Sequence, residues 1–159
     1  MIVAEPLTAA AFDPFGEVIE AAGEPSALIN QGKCGRFHDL CTIDVEGEVG
    51  ISVFRGTPYG LPLRLEMVER HPLGSQAFIP MQRKPFLVIV APDEGDVPGE
   101  PLAFLTAPGQ GVNIRRNTWH GVLTPIHDPA LFAVIDRVSP GQNLEEHWFD
   151  APHTFTLPG

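Results

Sequence analysis

Short runs along this chain carry the hydrophobic spacing of β-strands. From Leu61 to Met67 the alternation is clean, with Leu61, Leu63, Leu65 and Met67 on one face against Arg64 and Glu66 on the other. Arg36 to Val45 places Phe37, Cys41, Ile43 and Val45 on one face and Arg36, His38, Thr42 and Asp44 on the opposite one, which predicts a second strand. Phe86 to Ala91 is continuously apolar, as a strand covered on both faces would be. Leu131 to Arg137 reads as another strand, ending in Ile135-Asp136-Arg137. One short helix is predicted over Thr8–Phe15. Thr8 is its N-cap before Ala9, Ala10 and Ala11, and Pro14-Phe15-Gly16 stops it. A further helical turn is expected around Leu144–Trp148, and Asp93–Pro101 reads as a solvated acidic loop between two strands.

Seventeen prolines and sixteen glycines are spread through the chain as punctuation rather than gathered in a linker. Many short strands between such breakers predict an all-β sandwich or barrel. No internal repeat and no low-complexity tract interrupts the 159 residues, so we expect one domain over 1–159. A chain of this length buries ~68–70% of its unfolded surface. Hydrophobic residues make 43% and charged ones 19%, which places it among globular rather than disordered chains. No apolar run approaches the roughly 18 residues of a membrane span. The start, M-I-V-A-E-P-L-T, lacks a basic region followed by an apolar stretch, and a cytoplasmic location is therefore expected.

Charge narrows the partners. The formal net charge is −10, from 20 acidic and 10 basic side chains, which argues against nucleic acid or an anionic membrane as partner. A small-molecule ligand is the expectation, and any Arg that points inward gains interest because so few are present. Cys34 and Cys41 form neither a disulfide framework nor a zinc pattern and are read as reduced packing residues.

Two segments mix strand-like apolar residues with polar side chains suited to a pocket: H-P-L-G-S-Q-A-F-I-P from His71 to Pro80, and G-V-N-I-R-R-N-T-W-H from Gly111 to His120. About forty residues apart, they predict one site built from two distant strands. His71, Gln76 and His120 are its candidate centre, with His38 a candidate if its strand lines a barrel interior. His127, His147 and His153 lie among loop-like residues and are read as structural or solvent-facing.

The pair of segments resembles the two motifs of cupins. Cupins carry two histidines and a glutamate in the first motif and one histidine in the second. Here the first segment offers only His71, with Gln76 where the acid is expected, and Arg115 and Asn117 stand at the usual proline and glycine positions of the second. More specifically, F-G-E-V-I-E (15–20), I-N-Q-G (29–32), R-F-H-D-L (36–40), E-R-H-P-L-G-S-Q-A-F-I-P (69–80), the segment 111–120 and I-D-R (135–137) resemble the ureidoglycolate lyase family, also called ureidoglycolate hydrolase. The likeness runs in order from about residue 5 to 137.

That resemblance implies a cupin-type double-stranded β-helix (jelly-roll) barrel with a short N-terminal helix, a homodimer, and cleavage of (S)-ureidoglycolate to glyoxylate and urea in allantoin degradation. It also implies a divalent metal such as nickel as candidate cofactor, with His71, Gln76 and His120 as ligands. Two imidazoles and a neutral amide are a thin set for it, so a metal-free hydrogen-bonding pocket is the favoured alternative, with Glu66, Glu69 or His38 the residues able to complete a metal site.

The implied reaction assigns roles. Arg116 is the first choice to bind the substrate carboxylate, since a guanidinium grips a carboxylate in a bidentate fork. Arg36, Arg70 and Arg137 are its substitutes, with an ion-pair role as the alternative for each. His120 is expected as the general base or acid, with His71 its partner or a metal ligand. Gln76 is expected to hold the ureido group and Asn117 to orient His120 or the substrate. Trp119 and Phe78 are placed either as walls of the pocket or as core. Three alternatives remain at this point: hydrolysis of the same substrate with ammonia release, another metal-dependent cupin enzyme, and a non-catalytic cupin that binds a small carboxylate.

Overall fold

A computed structural model describes all 159 residues. The first quarter of the chain contains β1 (Ile2–Val3), β2 (Glu5–Pro6), α1 (Ala9–Phe12), β3 (Gly16–Ile19), β4 (Ala27–Ile29) and β5 (Cys34–Arg36). The middle supplies β6 (Val49–Arg55), β7 (Leu63–Arg70), β8 (Gln76–Pro80), β9 (Phe86–Ala91) and β10 (Leu102–Leu105). There follow β11 (Gly111–Ile114), β12 (Trp119–His120), β13 (Thr124–Pro125), β14 (Leu131–Arg137) and β15 (Glu145–Thr156).

Eight of these strands form one sheet in the order β1-β15-β7-β12-β9-β10-β2, with β13 also pairing β9. Five form a second sheet, β3-β11-β8-β14-β6, and β4 and β5 make a separate hairpin. The two sheets meet around a shared apolar cluster. Phe78, Val112, Phe132 and Val134 come from the smaller sheet and Phe86, Val88, Val90 and Phe104 from the larger. Phe86 and Phe132 pack edge to face across that seam, their centroids 4.9 Å apart. The result is the barrel-like jelly-roll arrangement expected of a cupin-type chain.

β9 shows why its sequence has no polar alternation. Phe86, Val88 and Val90 face the cluster between the sheets. Leu87, Ile89 and Ala91 face a second cluster with Leu63, Leu65, Trp119 and Phe155 on the other side. Both faces are dry, so both sets of alternate residues are apolar.

The N-terminal helix forms where expected but lasts a single turn. Thr8 Oγ1 accepts the N–H of Ala11 at 3.1 Å, capping Ala9–Phe12. Phe12 then buries against Phe104, edge to face at 5.7 Å. The alternating strand starts at Leu63 rather than Leu61 and runs on to Arg70.

Two sequence expectations give way. Arg36–Val45 is not a strand: only Cys34–Arg36 is extended, paired with β4, and residues 37–45 follow an irregular path. Asp39 sits at φ 54, which breaks the pleat, and local bonds replace a ladder. Asp44 donates its N–H to Ser75 Oγ and accepts from the Ser75 N–H, each at 2.9 Å, and Thr42 O accepts from Asn113. The segment covers part of the smaller sheet instead of extending it. Leu144–Trp148 is likewise no helical turn, because from Glu145 it belongs to β15 and pairs with β7. A long strand neighbour overrides the local helix preference. No helix is long and apolar enough to cross a membrane.

Candidate active site

Strand alternation assembles the centre of the site. β12 pairs antiparallel with β7 so that His120 lies opposite Glu69. Directly opposed residues share a face, and His71, two positions beyond Glu69, points the same way. The ligating atoms of Glu69, His71 and His120 accordingly lie within 4.8 Å of one another. The two imidazole centroids are 5.1 Å apart.

Each ring is oriented by a backbone carbonyl. His71 Nδ1 lies 2.8 Å from Asn143 O, and His120 Nδ1 lies 2.8 Å from Gly121 O. A carbonyl oxygen only accepts, so Nδ1 carries a hydrogen in both rings, which leaves Nε2 as the atom free to act toward the site. Both Nε2 atoms are buried and have no protein partner. Such orphaned polar atoms are costly unless something outside the chain completes them.

Electrostatics follow from burial. His120 is held down to about 4, first because burial penalises its cation, then because His71 is near, against a smaller opposing effect of the Gly121 carbonyl. It is therefore a neutral imidazole at neutral pH. The Glu69 carboxyl is pushed up by burial, with His71 pulling it down and Glu146 adding to the rise. Two imidazole Nε2 atoms and a carboxylate, each imidazole anchored through its other nitrogen, fit a divalent cation, which binds the rings in their unprotonated form.

Of the cluster, Glu69 reaches the wall of a cavity of about 630 Å³, which it shares with Gln76, Phe54, Arg55, Tyr59 and Phe78. Gln76 enters at the start of β8, facing inward like Phe78 two residues on. Its Nε2 donates to Asp136 Oδ2 at 3.0 Å, which fixes the amide and leaves Oε1 buried as a free acceptor. Gln76 and Glu69 thus share one cavity with an unpartnered oxygen and a carboxylate.

Not every predicted residue reaches it. Arg116 is occupied elsewhere: its Nε donates to Pro72 O at 2.7 Å, and its guanidinium pairs with Glu46 at 2.9 Å and Asp44 at 3.8 Å. Asn117 is an exposed turn residue at φ 62, and its backbone N–H, not its side chain, meets His71 O at 3.0 Å. Trp119 precedes His120 on β12 and so faces the opposite side, buried in the second cluster with Arg70 4.3 Å above its ring. Of the two readings left open for Trp119, pocket wall or core, the structure gives core, because alternation turns it away from the side that His120 faces. Phe78 meets both readings, since it lines the cavity and belongs to the core.

Arg36 and His38 lie exposed on and after the β4–β5 hairpin, away from this cavity wall. Arg137 serves structure, donating to the carbonyls of Glu46, Ser139 and Pro140. Arg70 is buried among Asp93, Asp96 and Glu145. Of the three residues able to join the histidines, Glu69 does, whereas Glu66 is exposed and paired with Arg64. The sequence reading overlooked the segment Phe54–Tyr59. Its signal was the alternation V-G-I-S-V-F-R over 49–55, which β6 now explains.

Comparison with known proteins converges on one family. A family model described as "Ureidoglycolate lyase" matches residues 1–156. A protein named "Ureidoglycolate lyase" from Chelativorans is 59% identical over 99% of this chain and 97% of its own length. "Ureidoglycolate lyase 2" from Rhizobium meliloti is 56% identical, covering 93% of each chain. A further "Ureidoglycolate lyase", from Rhodobacter capsulatus, is 56% identical over 95% of both.

Proposed function

The chain belongs to the ureidoglycolate lyase family, and we propose that it cleaves (S)-ureidoglycolate to glyoxylate and urea, as a carbon–nitrogen lyase of allantoin degradation. The observation that carries this reading is the meeting of Glu69, His71 and His120, with two orphaned Nε2 atoms, beside a cavity whose wall Glu69 shares with Gln76.

The substrate carbon bears a hydroxyl, a carboxylate and a urea nitrogen. Loss of the hydroxyl proton lets the oxygen form the aldehyde while the C–N bond breaks. The bonding pair leaves on nitrogen, which takes up a proton to become urea. His71 and His120, through Nε2, and Glu69 would hold a divalent cation such as nickel. When bound, that cation polarises the substrate oxygens and makes the hydroxyl more acidic.

His120, neutral and fully buried, is better suited to the ligand role than to the proton-carrier role first expected of it. Glu69 has two oxygens, so one can face the imidazoles while the other takes the hydroxyl proton and returns it to the departing nitrogen. Gln76 Oε1, fixed by Asp136, accepts an N–H of the ureido group. Phe54 and Phe78 give the cavity an apolar side that limits water.

A homodimer and a cytoplasmic location complete the proposal, supported by the family resemblance. The test is to incubate purified protein with racemic ureidoglycolate and follow glyoxylate and urea together. Stoichiometric urea is expected; ammonia without urea would replace the lyase by a hydrolase, and no turnover would end the reading. In the same preparations His71→Ala and His120→Ala should each lower the bound divalent metal measured by mass spectrometry. Unchanged metal content in both would remove the cation from this cluster.

A further inference from the structure

The proposed substrate is an anion, yet the net charge of −10 opposes its approach, so a cationic side chain beside the cluster would help to capture it. Ten Lys and Arg residues are available, and the fold accounts for most of them. Arg70 is surrounded by three carboxylates and Arg116 by two, and Arg64 pairs with Glu66. Arg83, Arg115 and Arg137 donate to backbone carbonyls. Lys33 and Arg36 lie on the β4–β5 hairpin and Lys84 on the turn before β9. None of these nine lines the cavity that holds Glu69 and Gln76. Arg55 does, and it has neither an ion-pair partner nor a hydrogen bond from its guanidinium.

The backbone around Arg55 is held in place. Arg55 is the last residue of β6, paired with Leu131 of β14. Gly56 N–H then donates to Ala130 O at 2.7 Å, and Tyr59 N–H to Pro125 O at 2.9 Å. Gly56 also packs so closely that an added Cβ would lie 2.9 Å from Pro125 Cγ. By alternation Arg55 shares the outer face of β6 with Ile51 and Val53, but as the last residue of the strand it reaches the cavity wall, with the hydroxyl-bearing Thr57 and Tyr59 beside it.

We propose that Arg55 binds the substrate carboxylate, a role resting on the lyase reading above. Its planar fork suits a carboxylate in two-point contact, and holding that group leaves the hydroxyl and ureido arms to Glu69 and Gln76. The carboxylate passes unchanged into glyoxylate, so the same contact holds that product, whereas urea has no anionic group to engage it.

Arg55→Met tests this, because an exposed side chain without partners can be shortened without disturbing the fold. For the variant, KM for ureidoglycolate and the inhibition constant of glyoxylate should both rise roughly 10- to 100-fold. The inhibition constant of urea should stay as in the parent, and Arg55→Lys should fall between the two. Unchanged KM and glyoxylate inhibition, or equal weakening of glyoxylate and urea, would overturn the assignment. A parent protein that leaves ureidoglycolate intact would instead overturn the lyase reading itself.

Discussion

His120 sits fully buried with its Nδ1 hydrogen on a carbonyl and its Nε2 unpartnered, which makes its proton a matter of stability. In the folded, metal-free chain it titrates at about 4, below the ordinary 6.5, so the unfolded chain binds more protons between those values. Stability is therefore complete above pH 6.5 and falls as pH drops through the window to 4. The loss reaches about 3 kcal/mol. Urea denaturation of metal-free protein at pH 7 and pH 4.5 should show it, and His120→Gln should flatten this part of the profile. An equal slope in that variant would assign the acid sensitivity to other groups. The meeting of His71 and His120 was legible in the sequence, since imidazoles on two strand-like segments have few structural uses. Arg116 was misread because sequence shows a cation's presence but not its partners. Asp44 and Glu46, some seventy residues earlier, claim it through a loop whose path no periodicity foretold.

Strands that bury both faces, or bury one face deeply, were the legible elements. β9 lies where an unbroken apolar run placed it, and β14 where Leu131–Arg137 read as a strand. Phe132 shows what this packing is worth. It is fully buried between the sheets, edge to face with Phe86, and Phe132→Ala should cost about 3–5 kcal/mol in chemical denaturation. A loss below about 1 kcal/mol, within the range of many surface substitutions, would show that the sheets close around the gap. The illegible elements are those decided by distant partners. Residues 37–45 alternate like a strand, but the left-handed Asp39 and the Ser75 bonds make them a cover for the smaller sheet. Glu145–Trp148 carries a weak helical pattern, yet the edge of β7 recruits it into β15. In both cases local pattern lost to a contact made by residues far along the chain, a competition that cannot be scored from one segment.

At the scale of the molecule, one surface is poorly suited to water. β6 ends the five-stranded sheet and has a free edge. Its outward residues Ile51 and Val53 are 75% and 61% exposed, with Ile79 and Ala133 beside them in register. An apolar edge strand of seven residues without a Lys or Pro is an aggregation hazard unless something covers it. A second copy related by a two-fold axis would cover it self-complementarily, which is the geometry expected for the proposed homodimer. Each copy carries −10, so charge opposes association and apolar burial must drive it. Salt then acts in an unusual direction: by screening repulsion it should tighten the dimer rather than loosen it. Sedimentation at low and high salt should show dimers that strengthen with ionic strength, and Ile51→Lys with Val53→Lys should yield monomers. Parent protein that sediments as a monomer would remove the dimer, whereas a dimer unaffected by the paired substitution would move the interface to another face.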